Sequence, residues 1–101
     1  MSYGLTDEVI EAICCIFRNH PEVETATLYG SRAKGNFKPA SDIDLTLTGE
    51  KLNTTVLNKI SWELDDLLLP YTFDLSIFSQ ISNPELINHV NRVGIIFYSR
   101  K

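Results

Sequence analysis

The sequence predicts an α/β (α+β) layered domain, with helices packed on one small sheet. Three observations carry this reading. Apolar residues recur at helical spacing in three segments and alternate at a period of two in others. Gly and Pro fall at the edges of those segments rather than inside them. A chain of 101 residues with 44% hydrophobic content can close one core, so 1–101 is expected to form a single domain.

The first segment, residues 6–19, reads as a helix. Thr6 suits the N-cap, Asp7 and Glu8 face the positive helix end, and Val9, Ile13, Ile16 and Phe17 form an apolar stripe. His20-Pro21 stops it. Residues 23–29 are rich in β-formers and run into Gly30, which predicts a strand. The stretch 30–41 holds Gly30, Gly35, Pro39 and several basic residues, a loop with room for one helical turn.

Residues 42–48 alternate: Asp42, Asp44, Thr46 and Thr48 share one face, Ile43, Leu45 and Leu47 the other. From Thr54 to Leu69 the period is helical, with Leu57, Ile60, Leu64, Leu67 and Leu68 on one side and Pro70 as the stop. Residues 72–78 alternate again, with Thr72, Asp74 and Ser76 on one face. Asn83-Pro84 opens a last helix, Gly94 ends it, and Ile95 to Tyr98 form a closing strand. The expected order is α-β-β-α-β-α-β, without repeats or a linker. Trp62, Phe73 and Phe78 are expected in the core.

Composition narrows the function. A formal charge of -4 argues against general nucleic-acid binding, which draws its affinity from Lys and Arg. No run is long and apolar enough for a membrane span, and the first residues lack a cationic, apolar signal, which predicts a cytoplasmic location. Cys14 and Cys15 are adjacent and read as reduced thiols of a cytoplasmic helix. A domain this small buries only about 60–65% of its unfolded surface. An enzyme of this size is therefore expected to borrow part of its site, or its second substrate, from another chain.

The chemistry lies in the polar faces. Asp is disfavoured inside strands, so Asp42 and Asp44 cost stability unless they serve another end. If their strand neighbours the one carrying Asp74, the carboxylates lie roughly 5–8 Å apart. Such a cluster repels itself unless a divalent cation neutralises it. Upstream, Gly30-Ser31 stands where a strand meets a turn, a place where backbone N–H groups can cradle a phosphate. Arg32 and Lys34 add positive charge there, with Lys38 as a third candidate. An isolated Asp-x-Asp is more often a solvated strand end, and an isolated Gly-Ser an ordinary turn. At this fixed spacing, however, the four identities would coincide by chance in about one chain in a thousand. His20 and His89, far in sequence from the acidic residues, read as bland, whereas Phe37 in the loop could touch a base.

At Gly30-Ser31-Arg32-Ala33-Lys34-Gly35, followed by Ser41-Asp42-Ile43-Asp44-Leu45, the sequence resembles the nucleotidyltransferase superfamily that includes DNA polymerase β. It is most similar to the minimal nucleotidyltransferase (MNT, or MntA-like) branch, over nearly the whole chain. The resemblance implies a polymerase-β-like palm with a mixed sheet. It implies that Asp42, Asp44 and Asp74 are catalytic and bind two Mg²⁺ ions, and that ATP is the nucleotide substrate. Gly30 and Ser31, helped by Arg32 and Lys34, would hold the triphosphate. Lys34 replaces an arginine of many relatives and cannot offer a bidentate fork.

Small members of this branch are often encoded beside a helical HEPN-domain protein, and many such pairs act as toxin and antitoxin. The resemblance thus implies an adenylyltransferase that moves AMP from ATP onto a tyrosine of a HEPN toxin, in a heteromeric complex. A homodimer is compatible with it. Two alternatives share these residues: nucleotidylation of a small molecule such as an aminoglycoside, and a nucleotide-binding antitoxin that acts by occlusion.

Overall fold

The computed structural model describes residues 2–100. Its elements are α1 (Asp7–Arg18), β1 (Thr25–Tyr29), α2 (Ser31–Lys34), β2 (Ile43–Thr48), α3 (Thr54–Asp66), β3 (Phe73–Ile77), a 3-10 turn at Phe78–Gln80, α4 (Pro84–Val93) and β4 (Ile95–Ser99). The expected α/β order is therefore present, with one added helical turn, α2, after Gly30.

The sheet is mixed and runs β3-β2-β1-β4. β1 is antiparallel to β2 and to β4, while β2 and β3 are parallel. The parallel pair is joined by α3, the crossover that a parallel connection requires. β3 and β4 form the two borders of the sheet.

Strand alternation gives the sheet two different faces. Ala26, Leu28, Ile43, Leu45 and Leu47 are buried against Ile13 and Phe17 of α1 and Ile60 and Leu64 of α3. Each fully buried Leu or Ile among them contributes about 1.5–3 kcal/mol. Two polar ties fix the helices over this core. His20 meets Glu63 at 2.7 Å, joining the end of α1 to α3. Arg100 donates to the carbonyls of Phe17, His20 and Val23, supplying donors for the end of α1. The opposite face carries Thr27, Tyr29, Asp44, Thr46, Asp74 and Ser76, and α4 lies across its β1 portion.

The caps follow the sequence closely. Thr6, Asn53 and Asn83 each accept a backbone N–H at the head of a helix, and Pro84 occupies the first turn of α4. α3 is shorter than the apolar period suggests. It ends at Asp66, because the Leu67 and Leu68 N–H groups turn back to Leu64 and Asp65 carbonyls and Leu68 takes φ 55°. Leu68 is 88% exposed and Trp62 is 69% exposed, so neither belongs to the core. Trp62 sits two residues from both Ile60 and Leu64, about 200° around the helix from each. Cys14 is buried, Cys15 is exposed, and both are free thiols. Among the described residues, no helix is long and apolar enough to cross a membrane.

Candidate active site

The polar face converges on Asp44. In the sheet register Asp44 stands opposite Tyr29 on β1 and opposite Asp74 on β3. Asp42 lies just outside β2, two residues before Asp44 and so on the same side. The structure thus gathers the three aspartates singled out from the sequence along one edge of the polar face.

Their electrostatics follow from that placement. Burial, then Asp74, then Asp42 push the Asp44 carboxyl up to about 6, with Arg32 pulling weakly the other way. Burial also raises the Tyr29 phenol; Asp74 and Asp44 add to it, and a hydrogen bond to Ser76 opposes it. This corner of the sheet carries more negative charge than its solvation supports.

Gly30 follows β1 directly and adopts φ 75°, ψ −155°, a conformation that L side chains rarely take. A Cβ there would also collide with the Asp44 carboxylate. The glycine is therefore required twice, by its backbone angle and by the carboxylate beside it. Ser31 opens α2, whose first N–H groups have no acceptor within the helix. Lys34, at the end of α2, is exposed.

Arg32 is placed otherwise than as a solvent-facing phosphate ligand. It is 2% exposed and spends its guanidinium on backbone carbonyls: Tyr3 at 2.9 Å, Pro39 at 3.2 Å, and Ser41 at 2.9 and 3.1 Å. The rings of Phe37 and Tyr71 lie 5.3 and 4.9 Å from its central carbon. Its role is to tie the N-terminal segment and the 36–41 loop together, close enough to Asp44 to be felt there as charge. Phe37 is correspondingly half-buried over Arg32 instead of standing free for a base. Lys38 is exposed, and its N–H donates to Ser41 Oγ at 2.8 Å.

Two neighbours of the site are not apparent from motif reading. Tyr29 could have been found by carrying the β1 alternation of Thr25 and Thr27 one step further. His89 could not. It comes from α4, its Nε2 accepts the Gly30 N–H at 3.1 Å, and its ring stands edge-on to Tyr29 at 6.1 Å.

A family model described as polymerase beta, nucleotidyltransferase, matches residues 11–101. The chain belongs to the polymerase β nucleotidyltransferase family. The matched span contains all of the turn and all three aspartates of this nucleotidyltransferase. None of the curated proteins matches the chain. Solved structures share the fold of this nucleotidyltransferase at low identity. A chain of a toxin–antitoxin structure with AMP-PNP superposes with TM-score 0.73 at 20% identity, covering 91% of this chain and 74% of that one. A chain from the tri-AMPylated Shewanella oneidensis HEPN toxin in complex with MNT antitoxin gives 0.69 at 18%, with 94% and 73% covered. The MntA-HepT toxin–antitoxin gives 0.68 at 18%, with 93% and 73% covered.

Proposed function

We propose that this nucleotidyltransferase transfers AMP from ATP to a tyrosine hydroxyl of a HEPN-domain toxin, acting as the antitoxin of a cytoplasmic two-protein system. The observation that carries the reading is the position of Asp44, flanked in register by Asp74 and packed against Gly30 at the phosphate turn. The fold shared with the AMP-PNP-containing and AMPylated toxin–antitoxin structures supports the nucleotide and the acceptor class.

The donor set suits Mg²⁺, being all oxygen and all acidic. Among the described residues, no group of three or more His, Cys, Asp or Glu side chains is placed to hold a metal ion. Mg²⁺ does not ask for one, since it completes its shell with phosphate oxygens and water. Asp42, Asp44 and Asp74 would hold the ions, which when bound neutralise both the carboxylates and the triphosphate.

The chain's own residues then divide the work. The N–H groups at the head of α2, the Ser31 hydroxyl and Lys34 hold the triphosphate tail. Asp74, exposed on the border strand, would accept the proton of the incoming hydroxyl. The tyrosine oxygen bonds to the α-phosphorus, the bond to the bridging oxygen breaks, and pyrophosphate leaves.

The decisive experiment incubates the whole chain with the protein encoded beside it, ATP and Mg²⁺, followed by mass spectrometry of that protein. One or more added AMP groups on a tyrosine is the expected result. An unmodified partner that is nevertheless silenced by the triple aspartate variant would replace transfer with occlusion.

A further inference from the structure

We infer that His89 is a positioning residue for the phosphate turn: its imidazole, carried by α4, fixes the peptide of Gly30 and takes the Gly30 N–H out of phosphate binding. The inference rests on the nucleotidyltransferase reading of this turn and adds a residue to it.

Gly30 needs an acceptor from outside the sheet. The β1–β2 register ends at the Tyr29–Asp44 pair and the β1–β4 register at Leu28–Ile95, so neither neighbouring strand extends to Gly30. His89 Nε2 supplies the acceptor at 3.1 Å, which puts the ring proton of the neutral imidazole on Nδ1. On the other side of the residue, the Gly30 carbonyl accepts the Lys34 N–H at 3.0 Å. Both polar groups of this one glycine are thus engaged, one by α4 and one by α2.

The imidazole itself is held firmly. Asn83 caps α4, Val90 beside His89 is buried, and Tyr29 meets the ring edge-on at an interplanar angle of 81°. Tyr29 is in turn the register partner of Asp44. His89 therefore touches both residues at the bend where β1 turns into α2, and it sets the angle at which Ser31 and the first α2 N–H groups face a triphosphate. Phosphate binding begins at Ser31, and Gly30 contributes room rather than a hydrogen bond.

The test uses the whole chain in two ways. In the nucleotide-free ¹⁵N-labelled protein, a through-hydrogen-bond coupling is expected between the Gly30 amide nitrogen and His89 Nε2. His89→Leu should speed Gly30 amide exchange about fivefold, the loss of one ordinary hydrogen bond. In the transfer assay, His89→Leu should raise the KM for ATP by about fivefold with little change in kcat, whereas His89→Gln, which keeps an acceptor, should lie closer to wild type. Absence of the coupling, or equal KM values for the Leu and Gln variants and wild type, would overturn the inference. If wild type transfers no AMP at all, the functional reading fails instead, while coupling and exchange still decide the His89 contact. Should His89→Leu fail to fold, the wild-type coupling decides it.

Discussion

Arg32 and Asp44 are opposite charges set on the two sides of one turn, and the protein treats them oppositely. Arg32 is enclosed by three residues' carbonyls and two aromatic rings, so its charge is fully answered by the fold. Asp44 is half-buried beside two further carboxylates, and its carboxyl is driven up to about 6. An answered charge stabilises a loop; an unanswered one keeps affinity in reserve for a ligand. The difference separates the residue that builds the site from the residue proposed to work in it.

Breaking each member should therefore give opposite outcomes. Asp44→Asn is expected to cut AMP transfer by about 10²–10³-fold or more, with an unchanged circular-dichroism spectrum. Arg32→Met leaves the Tyr3, Pro39 and Ser41 carbonyls without their donor, and should lower stability by about 3 kcal/mol in denaturant titration. Arg32→Lys should restore little of it, because an ammonium cannot span that fork of acceptors. Gly30→Ala combines a strained φ with a collision on Asp44, costing about 1–3 kcal/mol in the same titration.

A smaller effect sharpens the comparison through pH. The folded Asp44 keeps its proton up to about 6, above the ordinary 3.8, so its contribution to stability is fully present below pH 3.8 and is lost as pH rises through 6. Without metal, Asp44→Asn should melt above wild type at pH 7.5, with the gap narrowing as pH falls through 6 and closing only below pH 3.8. Added Mg²⁺ should raise the wild-type melting temperature more at pH 7.5 than at pH 5, and the Asn variant less at either. An Asn variant that melts below wild type at pH 7.5 would contradict the picture of an unanswered charge. Smallest of all, Trp62→Ser should shift stability by no more than about 0.5 kcal/mol, since that side chain is 69% exposed.

The acidic half of the candidate site was legible in the sequence because it is periodic. Asp42, Asp44 and Asp74 declare themselves by alternation with apolar neighbours, and Gly30 by its place between a strand and a turn. Arg32 was not legible, since a basic residue in a polar loop looks the same whether it points to water or inward. Its burial depends on Tyr71, Phe37 and the Tyr3 carbonyl, which no local pattern links. His89 and Gly30 are separated by 59 positions and meet only because α4 lies back over β1. The overrun of α3 has a local cause: the apolar period continues through Leu67 and Leu68 after the backbone has already turned, at φ 55°.

The carboxylates lie toward the rim of a sheet, for Asp74 belongs to the outermost strand. A rim sets no ceiling on what may approach it. A cleft selects its acceptor by exclusion, admitting small molecules and rejecting folded ones; an open border accepts a whole protein surface and leaves selection to whatever grips the rest of that surface. It also leaves water free to compete with the acceptor. The expected signature in an unpartnered sample is slow release of AMP and pyrophosphate from ATP, suppressed once a protein acceptor covers the border.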